Sequence, residues 1–115
     1  MSFKEINIRA LQSDAAITEI MYEIAAARVD GVELIRFNIC SEGSEESISA
    51  VQKVYSALIR TLKRMKQKGS IQFIATEQSF ADRETESIFL ANKYPDLFES
   101  DPTAGESDKF IFVKI

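Results

Sequence analysis

The chain has 115 residues, of which 45% are hydrophobic and 28% are charged. These are the proportions of an ordinary soluble globular protein, and we treat residues 1–115 as one domain. The sequence contains one cysteine and no histidine, which excludes an internal disulfide framework, the serine–histidine and cysteine–histidine catalytic pairs, and zinc sites that use histidine.

The first third of the chain shows two strands separated by a helix. Phe3–Arg9 alternates between polar and apolar side chains, which predicts a strand. Ser13 or Asp14 can cap the helix that follows, and Gly31 can end it in a left-handed turn. Val32–Ile39 is apolar and β-branched, which predicts a strand buried on both faces. The helix between the strands has an apolar stripe formed by Ile17, Ile20, Met21, Ile24 and Ala25.

The rest of the chain continues the alternation of helices and strands. A long helix is predicted from a cap at Ser44 to a stop at Gly69, followed by a strand over Ile71–Ala75. A third helix is predicted over Asp82–Lys93, and a final strand over Lys109–Ile115. The apolar stripe of the long helix is formed by Ile48, Val51, Val54, Tyr55, Leu58, Ile59, Leu62 and Met65.

The order β-α-β-α-β-α-β predicts an α/β fold with helices packed against a sheet, in a two-layer or three-layer sandwich. Strands joined through amphipathic helices favour parallel pairing. The last strand follows a long polar loop, and its direction stays open. We therefore predict a mixed, mostly parallel four-stranded sheet.

Charge is distributed unevenly along the chain, whose formal net charge is −4. Five basic residues and no acidic one lie in a segment that we call the basic run: Arg60, Lys63, Arg64, Lys66 and Lys68. The run is either a patch that contacts nucleic-acid phosphates or a set of cations that offsets the carbonyls at a helix C-terminus. Because the rest of the chain is acidic, any nucleic-acid contact must depend on this local patch.

Several segments, taken in this order, are similar to the small MutS-related (Smr) domain. They are INIRAL, VELIRFNICSEG, FIATEQSF, ETESIFLANKYPDL and KFIFVKI, which together cover nearly the whole chain. The resemblance implies an Smr-like α/β fold and an association with DNA or RNA, since family members bind nucleic acid and some nick DNA or cleave RNA.

The sequence departs from the family at the positions that carry nuclease activity. The Asp, His and Gly positions of the first motif hold Asn7, Arg9 and Ala10. The His and the two glycines of the second motif fall on Ile39, Cys40 and Glu42. We therefore expect no enzyme activity, no catalytic residues and no cofactor.

Two further chemistries have weak support in the sequence. Cys40 lies between a strand and a helix start, where a thiol can be reactive, but no histidine is present to act as its base. Glu42, Glu45 and Glu46 do not have the spacing of a calcium loop, and acids in a first helical turn are explained by the helix dipole. We predict no metal site.

Two functions remain open. The first is a domain that binds nucleic acid through the basic run without cleaving it. The alternative is a protein-interaction or self-associating α/β domain with no nucleic-acid contact. A membrane partner is not expected, because the sequence has no apolar run of membrane-spanning length and the start MSFKEIN does not resemble a signal peptide. The single cysteine favours a cytoplasmic location.

Overall fold

The computed structural model of the protein describes residues 3–9, 12–39, 45–93 and 109–115. The predicted positions Ala10, Cys40, Glu42 and Ser44 lie outside these ranges. In chain order the elements are β1 (Phe3–Ile8), α1 (Ser13–Asp30), β2 (Leu34–Ile39), α2 (Glu45–Gln67), β3 (Phe73–Thr76), α3 (Glu77–Ala81), α4 (Thr85–Lys93) and β4 (Lys109–Lys114).

The strands form one mixed sheet in the order β1-β2-β4-β3. β1 and β2 pair in parallel, and β4 pairs antiparallel with both of its neighbours. β1, β2 and β3 therefore run in one direction, and the last strand runs in the other. This confirms the predicted α/β fold with a mixed four-stranded sheet, and it settles the direction of the last strand. Three of the four strands run in one direction, but only one of the three pairs is parallel, because β4 lies between β2 and β3. β1 and β3 are the two edge strands.

Helices cover both faces of the sheet. α1 and α2 pack side by side on one face, where Ile24 and Leu58 join a core that includes Ile35 and Ile111 of the sheet. On the other face Leu90 of α4 packs against a second cluster. This cluster contains Leu34, Ala75, Phe110 and Phe112. Neighbouring residues of β2 enter opposite clusters, as expected for a strand buried on both faces.

At the ends of α1, the predicted N-terminal cap is wrong and the predicted C-terminal stop is confirmed. The capping position is Gln12 rather than Ser13 or Asp14, because the Gln12 carbonyl already accepts the N–H of Ala16 at 3.1 Å. Gly31 ends the helix as predicted, with φ of 73°. A residue with a Cβ adopts this left-handed conformation only with strain.

The predicted helix over Asp82–Lys93 is wrong at its start, since α4 begins only at Thr85 and a separate short helix, α3, precedes it at Glu77–Ala81. α3 begins earlier because the side chains of Thr76 and Ser79 each accept the backbone N–H of the other, at 3.3 and 3.1 Å. It ends at Ala81, and Arg83, two residues later, has φ of 52°. The N–H of Glu84 then bonds to the Ser79 carbonyl at 3.0 Å, which completes a left-handed helix stop.

Two strands begin later than the sequence predicted. The N–H of Val32 bonds to the carbonyl of Ala27, so this residue belongs to the end of α1 and not to β2. Ile71 is buried in the core before β3 begins. Within the described ranges, no helix combines the length and the apolar character that crossing a membrane requires.

Candidate nucleic-acid interface

The basic run lies on the last turns of α2 and just beyond them. Leu58 and Leu62 face the core and are fully buried, whereas Arg60, Lys63 and Arg64 are exposed to solvent. Since successive residues of a helix are rotated by about 100°, these three cations share an arc of about 100° on the outer face. We call Arg60, Lys63 and Arg64 the basic ridge.

Within the described part of the chain, no carboxylate lies within ion-pair distance of a basic-ridge side chain. Lys66 differs, because its Nζ lies 3.9 Å from Oε1 of Glu86 on α4. Lys68 follows the last helical residue and is also exposed. The structure therefore divides the basic run into a ridge that points to solvent, a lysine paired with α4, and a lysine beyond the helix end.

The carbonyls at the end of α2 do not need the ridge side chains as partners. Backbone N–H groups of the next residues already bond to the carbonyls of Arg64, Met65 and Lys66, at distances of 2.9 to 3.1 Å. Gly69 permits this with φ of 78°. Arg60 moreover lies about two turns from the helix end, and the dipole effect is confined to the last turn. This weakens the explanation of the basic run as helix capping.

Lys53 extends the ridge toward the start of α2. It is exposed and lies seven residues, or about two turns, before Arg60, so that it projects on the same side of the helix. The sequence prediction missed it because the basic run was taken to start at Arg60, although no acidic residue separates Lys53 from Arg60. The spacing of seven between Lys53 and Arg60 is the signal that finds it. The cations from Lys53 to Arg64 cover about 16 Å along the helix axis.

The end of α2 is held firmly against its neighbours. The guanidinium of Arg28, in the last turn of α1, donates a hydrogen bond to the backbone carbonyl of Ser70. Val54 and Leu58 anchor the helix in the core. A ridge fixed in this way loses little backbone freedom when it binds a ligand. More of the free energy of each contact therefore contributes to affinity.

A cleft opens beside the ridge at the free edge of β3, and we call it the edge cleft. Its volume is about 320 Å³. Its lining includes Ile59 and Lys63 of α2, Ile74 of β3, Glu84 of the turn before α4, and Glu86 of α4. Because Lys63 belongs to both features, the edge cleft is continuous with the basic ridge.

Amide and guanidinium groups, including the amide of Asn7, form a polar network on β1 and β2. Nδ2 of Asn38 donates to Oδ1 of Asn7 at 3.0 Å and to Oε1 of Glu5 at 2.9 Å. Arg36 lies beside this network, with its guanidinium carbon 4.9 Å from the ring centre of Phe110. These groups hold β1 and β2 together on the face opposite α1 and α2.

The structure describes two of the remaining candidate positions, Arg9 and Ile39, but not Cys40. Arg9 is exposed just after the end of β1, and Ile39 is buried in the core. Cys40, the weak reactive-thiol candidate, is outside the described residues. In the ranges that the structure describes, no three acidic, cysteine or histidine side chains are grouped to hold a metal ion.

Comparison with known proteins gives no relative. A scan of protein-family models matches none to this chain, and searches of curated proteins and of solved structures find no match either. The similarity to the Smr domain therefore depends on the segments and spacings of the sequence alone.

Proposed function

We propose that the protein is an Smr-like domain that binds nucleic acid through the basic ridge of α2. The observation that carries this proposal is the exposure of three cations on one helical face with no carboxylate partner among the described residues. On a protein with a net charge of −4, such a local concentration of positive charge is suited to a phosphate backbone.

The ridge supplies contacts to the backbone and not to the bases. Arginine and lysine side chains on a convex helix surface reach phosphate oxygens of any sequence, so binding through the ridge alone is independent of sequence. The acidic remainder of the surface repels nucleic acid at a distance. Binding is therefore expected to be strongest at low ionic strength and to weaken steeply as salt is added.

The first test replaces the ridge and leaves the fold intact. We expect the R60Q/K63Q/R64Q variant to bind labelled single-stranded RNA or DNA at least tenfold more weakly than the natural protein in fluorescence anisotropy at low salt. The matched control is R9Q/R83Q/K93Q, which removes the same charge from exposed positions elsewhere. Equal loss in both variants would mean that net charge, and not the ridge, controls binding.

Cleavage of the bound strand is not part of the proposal. The positions that match the family's nuclease motifs hold Asn7, Arg9 and Ile39, and none of these side chains supplies the acid or base of a histidine. We also propose a cytoplasmic location, on the ground that the chain has a single cysteine.

Self-association is the second candidate, and one observation favours it. The outer side of α1 exposes 70% of Tyr22 and 87% of Val29, with Ala25 and Ala26 forming a shallow hollow between them. An apolar helix face open to water is typical of a surface that meets a second copy. Sedimentation velocity tests this: we expect a dimer at micromolar concentration that the Y22E/V29E variant abolishes. A monomer at every concentration would remove this candidate.

A further inference from the structure

We propose that the edge cleft takes one unpaired nucleotide, with its phosphate on the lysines of α2 and the edge of its base on Glu84 and Glu86. This inference rests on the proposed binding of nucleic acid and adds that the strand is single and that its bases are distinguished. An unpaired base exposes the hydrogen-bonding edge that pairing would occupy, and sequence-specific recognition of RNA generally uses such bases.

The edge cleft is lined by charges of opposite sign that come from different elements. Lys63 and Lys66 project from α2, and Glu84 and Glu86 project from the turn before α4 and its first residues. A nucleotide has the complementary polarity, since its phosphate is anionic and its base presents N–H donors. A ligand that carries both an anionic group and hydrogen-bond donors therefore complements this lining better than one that is uniformly anionic or uniformly cationic.

Lys66 and Glu86, which both line the edge cleft, form an ion pair. The two atoms are 3.9 Å apart and both side chains are close to half exposed. Exposed pairs of this kind contribute little to stability, because water and salt screen them. A ligand that brings a phosphate to Lys66 and an amino group to Glu86 can therefore replace the pair without a large cost.

Two aliphatic side chains of the edge cleft can contact the face of a base. Ile59 and Ile74 line the cleft with aliphatic side chains that are partly packed against the core. Thr76 and Ser79 also line it, but their hydroxyls lie 3.3 Å apart and bond to each other and to the backbone. They fix the shape of the cleft, while the charged residues at its rim provide the interactions that select a ligand.

Because the proposal places the nucleobase against two carboxylates, it predicts a preference among nucleobases. A carboxylate accepts hydrogen bonds but donates none, and the pairing of glutamate with the N4 amino group of cytosine is a known mode of readout. Uracil has the same ring size and carries an oxygen acceptor at that position, which a carboxylate repels. The one donor on the same edge of uracil, N3–H, lies between two such oxygens. The edge cleft should therefore favour cytosine over uracil.

The test compares labelled single strands of oligocytidylate and oligouridylate of equal length in fluorescence anisotropy at pH 7.5. We expect the natural protein to bind oligocytidylate on the order of tenfold more tightly. In the E84Q/E86Q variant this ratio should fall close to one, because a glutamine amide can serve either base. The matched control E19Q/D30N removes two acids from α1 and should keep the ratio.

The outcomes separate this inference from the function beneath it. Equal affinity of the natural protein for both oligomers, with the R60Q/K63Q/R64Q variant still binding weakly, overturns the nucleotide cleft and leaves the ridge. Retention of the preference in E84Q/E86Q, or tighter binding of duplex than of single strands, also overturns the cleft. Failure to bind any oligomer at low salt overturns both proposals.

Discussion

Arg83 is the residue at which local backbone preference and the observed structure disagree most. It holds φ of 52°, in the left-handed region that side chains with a Cβ rarely adopt. The conformation is needed because the chain must stop α3 and begin α4 within three residues, with the Glu84 N–H returning to the Ser79 carbonyl. Glycine is the residue that this position favours on steric grounds.

Replacing Arg83 with glycine is therefore expected to stabilise the protein. The gain should be about 1 kcal/mol in the free energy of unfolding, because the strain removed exceeds the entropy that glycine adds to the unfolded chain. Urea denaturation followed by circular dichroism measures it. The adjacent D82G variant is the control and should lose stability, since Asp82 is not in the left-handed region. A destabilised R83G would show that the Arg83 side chain makes a contribution larger than the strain.

The inner and outer sides of the helix α2 serve different purposes. Val54, Leu58 and Leu62 are buried on the inner side, and the basic ridge occupies the outer side. Packing fixes where the helix lies, and the exposed cations add almost nothing to that packing. The stability of the fold and its affinity for phosphate should therefore respond to different substitutions.

Leu58 tests this separation. Because its side chain is fully buried, L58A should lower the free energy of unfolding by about 2 to 5 kcal/mol, measured by urea denaturation. At a temperature where the variant remains folded, its affinity for single-stranded RNA should match that of the natural protein. The exposed S56A control should change stability by less than about 0.5 kcal/mol. Loss of RNA affinity in folded L58A would show that the ridge depends on finer positioning than this account gives.

Part of the fold could be predicted from the sequence because periodic patterns decide it. The alternation in β1, the stripe of α2 and Gly31 gave the order of elements and the mixed sheet. The placement of β4 between β2 and β3 depends on tertiary packing, which no local pattern encodes. The break at Arg83 was missed for a similar reason. The reciprocal bonds of Thr76 and Ser79 begin α3 ahead of the predicted helix, and the pattern of helix-forming residues does not show such side-chain bonds.

The candidate site could also be predicted from the sequence only in part. The basic run was visible as a charge pattern, and the ridge follows from it by helical geometry. The edge cleft was not predictable, because Lys63 and Glu84 are far apart in sequence and meet only when α2 and α4 flank the edge of β3. Lys66 was grouped with the other cations of the run, although the structure directs it to Glu86.

At the scale of the whole molecule, an acidic protein binds a polyanion only if one surface concentrates enough positive charge to overcome the general repulsion. The salt dependence of affinity measures how many phosphates that surface neutralises. For three ridge contacts on a single strand the slope of log K against log salt should be about −2, since each phosphate contributes roughly −0.7.

The measurement that tests this account most directly is the salt dependence of anisotropy with single-stranded RNA, for the natural protein and for R60Q/K63Q/R64Q. The account predicts a slope that becomes shallower by about 2 in the variant, with the slope of R9Q/R83Q/K93Q unchanged. Identical slopes for the natural protein and the ridge variant would contradict it, because the ridge would then make no contact with phosphate.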